Sequence, residues 1–384
     1  MVKRIFQIKR DKNLLVIDII KLLEVHVNKV KDKNHILWVD YAKFIGIFMV
    51  VLGHLLANKT AVHYGLNAKP LYNFIYLFHM PLFFIISGYL YKQKDKIHNL
   101  QGLLYGILIP YILYQLIYLP LSVGCLCFKY HYPFISTLIK NIIGIITGDG
   151  YNTSHFYSVC VPCWFLVTML HIRIIFNYIK ITPLHLFIIS IFSFILLKIL
   201  LILNIDLYFC LDNTLYAIPF FSIGYYAKEV LKDNKNIYDY KKWLIQICEN
   251  FIIIGTMLFI IKINGTTSMN LKISNMNNYS LFLSYFAGIL GTLLIYNISR
   301  FIKRTNNFVQ VVSQNTLFII FSHCVIIYIL NAFNCFKVFS LSTSTIINIA
   351  LAIIFAIFIL CINYLVISKF LYKFPILLGK SYKK

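Results

Sequence analysis

The chain has 384 residues, 60% of them hydrophobic and 17% aromatic, with only 13% charged and a mean hydropathy of +0.76. A soluble domain carries roughly 25% charged residues, so this composition excludes a water-soluble globular protein. The formal net charge of +23 raises nucleic acid as a partner. The basic residues fall in alternate loops instead of along one soluble face, however, which is a membrane-topology signal and argues against nucleic acid.

The first 36 residues are rich in Lys and contain no uncharged apolar stretch of the kind a cleaved signal needs, so the N-terminus is expected to stay inside. Within them, Leu14 to Val25 carries Asp18, Lys21 and Glu24 on one stripe and Leu15, Ile19, Leu22 and Leu23 on the other. That pattern fits a helix lying on the inner membrane surface or a solvated tail. Apolar runs long enough for a hydrocarbon core of about 30 Å follow, at 42–58, 71–91, 103–123, 156–176, 184–204, 207–227, 244–262, 279–299, 314–332 and 346–368. The least apolar are 184–204, which holds Lys198, and 207–227, which holds Asp212. An even number of spans puts most Lys and Arg into cytoplasmic segments, namely 92–102, 228–243, 300–304 and the tail after 369. The expected fold is all-α, a polytopic transmembrane helix bundle with about ten spans. It divides into an extension over 1–36, a membrane domain over 37–370 and a basic cytoplasmic tail over 371–384. Abundant Ile, Asn, Lys, Tyr and Phe is what an AT-rich bacterial genome encodes, so the expected location is the bacterial cytoplasmic membrane with both termini inside.

Most of the nine cysteines lie singly in apolar runs, where a thiol behaves as a small hydrophobe. Cys125, Cys127, Cys160 and Cys163 bracket the longest predicted outer loop, about 124–155, where a disulfide can form in an oxidising compartment. Cys160-Val-Pro-Cys163 has redox-motif spacing, but it precedes a membrane span and opens no helix on a soluble sheet. No redox role is expected from it. No loop is long enough for a second domain. Nor do the two halves share the paired broken spans of an inverted-repeat transporter.

Ionisable residues inside hydrocarbon are costly unless they face a cavity or a partner. His54, His79 and His323 qualify by depth, each lying well inside its span. Only the first two are joined by a short hairpin, so they are the expected pair. Metal binding is not expected, because no carboxylate or second histidine sits at ligand spacing on the same helices. Asp40, Lys43, Ile47, Val50 and His54 share one face of the first span. Lys43 and His54 are 11 residues apart, about 16 Å along a helix, which is comparable to an extended pantetheine arm. A helix built so places a cation at the cytoplasmic mouth, suited to the phosphates of an acyl-CoA, and an imidazole at mid-depth. A neutral imidazole is the usual base for activating a hydroxyl at neutral pH. His79 would either stabilise charge on the thioester oxygen or orient His54.

Two stretches resemble a known family. Trp38-Val39-Asp40-Tyr41-Ala42-Lys43, continuing to Gly53-His54, is similar to the first-helix signature of the acyltransferase-3 family of membrane O-acyltransferases. Phe78-His79-Met80-Pro81-Leu82-Phe83-Phe84-Ile85-Ile86-Ser87-Gly88-Tyr89-Leu90 resembles the second-helix signature and is the most specific stretch. Cys163-Trp164-Phe165-Leu166, Ile218 to Tyr225, and Ser313-Gln314-Asn315-Thr316-Leu317 to His323 resemble later elements in order. The resemblance covers about residues 37–370. It implies a membrane O-acetyltransferase that uses cytoplasmic acetyl-CoA as co-substrate, with no metal, to modify a hydroxyl of a glycan or lipid-linked glycan such as capsule, O-antigen or exopolysaccharide. It carries the catalytic role onto His54 with His79 as site partner, and donor binding onto Lys43 and Lys92. Asp40 and His323 are the expected substrate-binding residues. The family often has arginine where this chain has Lys43, which keeps the charge but loses the planar fork. A glycan or lipid flippase with the deep histidines lining its path is the competing expectation.

Overall fold

The computed structural model describes residues 36–93, 96–149, 155–179, 181–231, 240–264, 280–304 and 306–380. The amphipathic stripe expected at Leu14 to Val25 lies outside them. The described residues form an all-α bundle without strands. Apart from two short helices at Lys59–His63 and Lys96–Leu103, its α-helices in chain order are α1 (Leu37–Leu56), α2 (Lys69–Tyr76), α3 (His79–Leu90), α4 (Ile109–Gly124), α5 (Phe134–Thr147), α6 (Trp164–Tyr178) and α7 (Pro183–Leu203). They are followed by α8 (Leu211–Leu231), α9 (Tyr240–Asn264), α10 (Ser280–Arg300), α11 (Asn307–Gln314), α12 (Thr316–Ala332) and α13 (Thr345–Lys369).

Among the described residues, eight helices are long and apolar enough to cross a membrane, or nine when the bent pair α11 and α12 counts as one span. The remaining expected span, 207–227, corresponds to α8. It has the length, but Asp212, Asn213, Thr214 and Ser222 lower its hydropathy, and all four are buried inside the bundle. Asp212 accepts the Leu207 N–H at 3.1 Å at the helix N-terminus, where a carboxylate is favoured. Lys198 is exposed near the end of α7, where its long stem can reach the interface.

Two helix breaks matter for function. Pro81 cannot accept a continuous helix four residues upstream, so the second span parts at Leu77 and Phe78 into α2 and α3. The third span tolerates Pro110 in another way, through a π-helical turn at Leu104–Leu108 just before it. The α11 and α12 axes bend by 90° at Asn315, whose Nδ2 donates to the Val311 carbonyl at 2.7 Å and so caps the first half.

Helices in lipid gain little from burying apolar area against one another, and close packing must hold them instead. At the α3–α8 crossing, a Cβ on Gly88 would strike the Phe221 carbonyl, and one on Gly224 would strike the Ile85 carbonyl. Each helix therefore presents a glycine to the other's backbone.

Residues expected as an outer loop at 124–155 are largely helical. A π turn at Cys125–Lys129 prolongs α4, and α5 follows. Its small and polar side, Thr137, Asn141 and Gly144, is buried, while Ile135, Ile139, Ile142 and Ile146 face outward. Asn141 accepts the Ser122 hydroxyl at 2.7 Å. Such a helix has its apolar stripe toward the surroundings, the reverse of a soluble helix, so loop-like polarity is a poor guide to it. All nine cysteines are free thiols.

The segment after α13 returns to the bundle as two short 3₁₀ turns, Leu371–Lys373 and Pro375–Leu378. The Tyr114 hydroxyl donates to the Leu377 carbonyl, and Leu378 is buried.

Candidate active site

The site has two ends joined by α1. At the basic end, Asp40 sits in the first turn of α1, buried, and accepts the Ser313 hydroxyl at 3.2 Å from α11. Lys43 is half-buried one turn on, with Asp40 and Lys380 as the charged groups that act on it. The Lys380 ammonium donates to Asn315 Oδ1 at 2.9 Å, at the break between α11 and α12. The break thus supplies Asn315 as a bracket, and the returning tail supplies a second cation. This end holds two ammonium groups against one carboxylate.

Three turns along α1, about 16 Å from Lys43, His54 meets residues from two other helices. Its ring lies 4.9 Å from that of His323 on α12 and 6.5 Å from that of Tyr76 on α2. Tyr76 in turn lies 4.7 Å from His79 and 4.1 Å from Tyr72. His54 therefore faces the interior of the bundle. It is only half-buried, whereas His79 is 5% exposed and His323 fully enclosed, so among the three imidazoles it has the most room for a reactant.

The backbone decides the tautomers of the other two. His79 Nδ1 is 2.9 Å from the Ile75 carbonyl, at the helix break, and His323 Nδ1 is 2.8 Å from the Ile319 carbonyl. A carbonyl only accepts, so each Nδ1 carries the hydrogen and each neutral ring offers a bare Nε2. A ring in that state accepts hydrogen bonds and donates none further. The Cys324 thiol lies 3.4 Å from His323 Nε2.

All three deep histidines thus converge, with the Tyr76 ring in contact with both members of the hairpin pair and the His323 ring 4.9 Å from that of His54. Lys92 is exposed beyond the end of α3. Three other groups gather there. The Lys228 ammonium donates to the Tyr91 carbonyl at 3.0 Å, the Arg173 guanidinium lies 5.6 Å over the Tyr91 ring, and the Tyr91 hydroxyl donates to Asn177 at 2.6 Å. Sequence reasoning missed Arg173, Lys380, Tyr76 and Cys324. Arg173 carried a signal, being a charge at the edge of a predicted span, and Cys324 adjoins His323. Nothing local marked Lys380 or Tyr76.

A separate cavity of about 680 Å³ runs along another face of α1, lined by Trp38, Ala42, Leu82, Ser222, Tyr226 and Tyr296 among others. Its lining offers serine, threonine and tyrosine hydroxyls and no carboxylate, imidazole or thiol.

The family model described as an acyltransferase domain matches residues 36–367. The nodulation protein NolL of Mesorhizobium japonicum is 47% identical over 60 residues, which is 15% of this chain and 16% of that protein. The matched stretch is thus a small part of either length. No solved structure matches. The family match runs from the start of α1 almost to the end of α13 and takes in the site residues apart from Lys380, and the chain belongs to the acyltransferase-3 family of integral membrane acyltransferases.

Proposed function

We propose that this membrane acyltransferase transfers an acetyl group from cytoplasmic acetyl-CoA to a hydroxyl of a cell-surface or exported glycan, free or lipid-linked, with His54 as general base. The observation that carries the reading is a single helix, α1, bearing a cation at one end and, about 16 Å further on, a half-buried imidazole that opens into a polar cluster 4.9 Å from His323. The basic end suits the donor. Its two ammonium groups exceed its one carboxylate, and such an excess favours phosphate. Asp40 keeps Lys43 in place and limits its cost of burial.

At the far end, His54 takes the proton of the acceptor hydroxyl as that oxygen bonds to the thioester carbon. The carbon–sulfur bond breaks, and the departing thiolate recovers the proton from His54. A base so placed contributes about 10²- to 10⁴-fold. The enclosed His323, whose Nε2 already holds the Cys324 thiol at 3.4 Å, positions His54 across their 4.9 Å ring contact. With Nδ1–H committed to Ile75, neutral His79 has no proton to offer a developing oxyanion, so its role is to position the Tyr76 ring 4.7 Å away beside His54. Transfer by this route needs no metal.

Replacing His54 with Ala tests the reading. Purified glycan from cells carrying only the variant is expected to lack O-acetyl signals by NMR, with the variant protein present in the membrane at normal level. Normal O-acetyl content overturns the role of His54. Liposome-reconstituted protein that moves glycan across the bilayer without consuming acetyl-CoA overturns the acyl-transfer reading in favour of transport.

A further inference from the structure

The histidine cluster also has the makings of a metal site. One nitrogen each of His54 and His323 and the sulfur of Cys324 lie within 4.8 Å of one another. The spacing argument from sequence misses this set because His54 comes from α1 and the other two from α12. The separation of 3.4 Å between Cys324 Sγ and His323 Nε2 is close to a coordination edge. With metal–nitrogen bonds of about 2.0–2.1 Å and a metal–sulfur bond of about 2.3 Å, a tetrahedral ion holds N and S about 3.5 Å apart. Closing the rest of the set asks for roughly 1 Å of movement, and His54, the half-buried member, is the one with room to move. The outer partner is already in place. His323 donates Nδ1–H to the Ile319 carbonyl at 2.8 Å, the backbone contact that orients metal-bound imidazoles and turns Nε2 toward the ion.

We propose that His54, His323 and Cys324 bind a soft to borderline cation, Cu⁺ or Zn²⁺, and that its binding switches acyl transfer off by occupying the base. The donor set of two imidazoles and one thiolate selects this class over Mg²⁺ or Ca²⁺, which need oxygen ligands. The thiol loses its proton to water when the metal–sulfur bond forms. Cu⁺ with one thiolate makes a neutral set, and Zn²⁺ reaches neutrality with a hydroxide in its fourth position, so neither leaves net charge inside the bundle. With the metal on His54, the nitrogen that accepts the acceptor's proton carries a coordinate bond instead. The inhibitory step rests on the proposed role of His54, whereas the metal site itself does not.

The test uses the full-length protein in detergent and in liposomes. Titration with Cd²⁺ as probe is expected to give an ultraviolet thiolate-to-cadmium band that saturates near one equivalent and is absent from Cys324→Ser. Cys160 and Cys163 are neighbouring thiols that interact with Cys324, and Cys160→Ser and Cys163→Ser are each expected to keep the band. The serine at 324 can still donate to His323 Nε2 but supplies no thiolate, and inhibition of Cys324→Ser is read relative to its own metal-free rate. Its half-inhibition by Zn²⁺ should need on the order of 100-fold more metal, the upper end of what loss of even a supporting partner costs a metal site. A missing band, or one that depends on Cys160 or Cys163 and not on Cys324, overturns the metal site and leaves the role of His54 untouched. A Cys324-dependent band with undiminished transfer at saturating Zn²⁺ overturns the switch and the assignment of His54 as base together.

Discussion

Lys380 gives a sharp test of the donor end, because its position depends on the tail folding back and not on any span. Its ammonium is 2.9 Å from Asn315 Oδ1, and it acts on Lys43 beside Asp40. At about 4 Å and an effective dielectric near 20, a unit charge pair is worth roughly 4 kcal/mol before desolvation, and charged hydrogen bonds net about 1.5–3 kcal/mol. Lys380→Met should therefore raise KM for acetyl-CoA by about 10- to 150-fold. The kcat should stay within about twofold, since His54 lies about 16 Å further along α1 than Lys43. Lys43→Met should act in the same direction. The double variant should lose less than the product of the two, because both cations would grip the same phosphates. Loss of the contact to Asn315 also loosens the tail, so Lys380→Arg, which keeps charge and donor, should recover most of the affinity. Steady-state kinetics of reconstituted protein with labelled acetyl-CoA reads these values. An unchanged KM in Lys380→Met, or a lowered kcat at unchanged KM, refutes the assignment of Lys380 to donor binding.

Two predictions concern the scaffold. Gly224→Ala puts a methyl into the Ile85 carbonyl and should cost at least about 1–3 kcal/mol by forcing α3 and α8 apart, seen as a lower melting temperature in detergent. Gly255→Ala, where the added methyl meets nothing within 4 Å, should melt at or slightly above wild type, and equal melting of the two variants would refute the packing argument. Asp149 braces the left-handed residues Phe209 and Cys210 by accepting their N–H groups at 3.2 and 2.7 Å. Burial pushes its carboxyl above the ordinary range against the pull of those two hydrogen bonds. A raised folded-state pKa means the native state holds the proton more tightly, so stability falls as pH rises from about 4 to the raised value and levels off above it. Melting temperatures of Asp149→Asn relative to wild type should climb across that window, and a flat difference would refute the assignment.

The sequence by itself determined the architecture in outline. Charge, hydropathy and basic loops identify a helical membrane bundle, because a hydrocarbon solvent leaves helices or closed barrels as the viable spanning forms. The motifs around Lys43, His54 and His79 were equally legible, since they repeat along one helix face or one hairpin. Helix breaks were less so. Pro81 announces the one at Leu77 and Phe78, but the 90° bend at Asn315 depends on a side-chain cap and a lysine 65 residues away. Only tertiary structure decided that the His323 ring packs against His54, that Tyr76 touches both hairpin histidines, and that Cys324 joins them. Periodicity reports which residues share a face of one helix. Which faces of different helices meet is set by close packing, as at Gly88 and Gly224, and by where each break turns the chain, and those interactions have no fixed spacing in sequence.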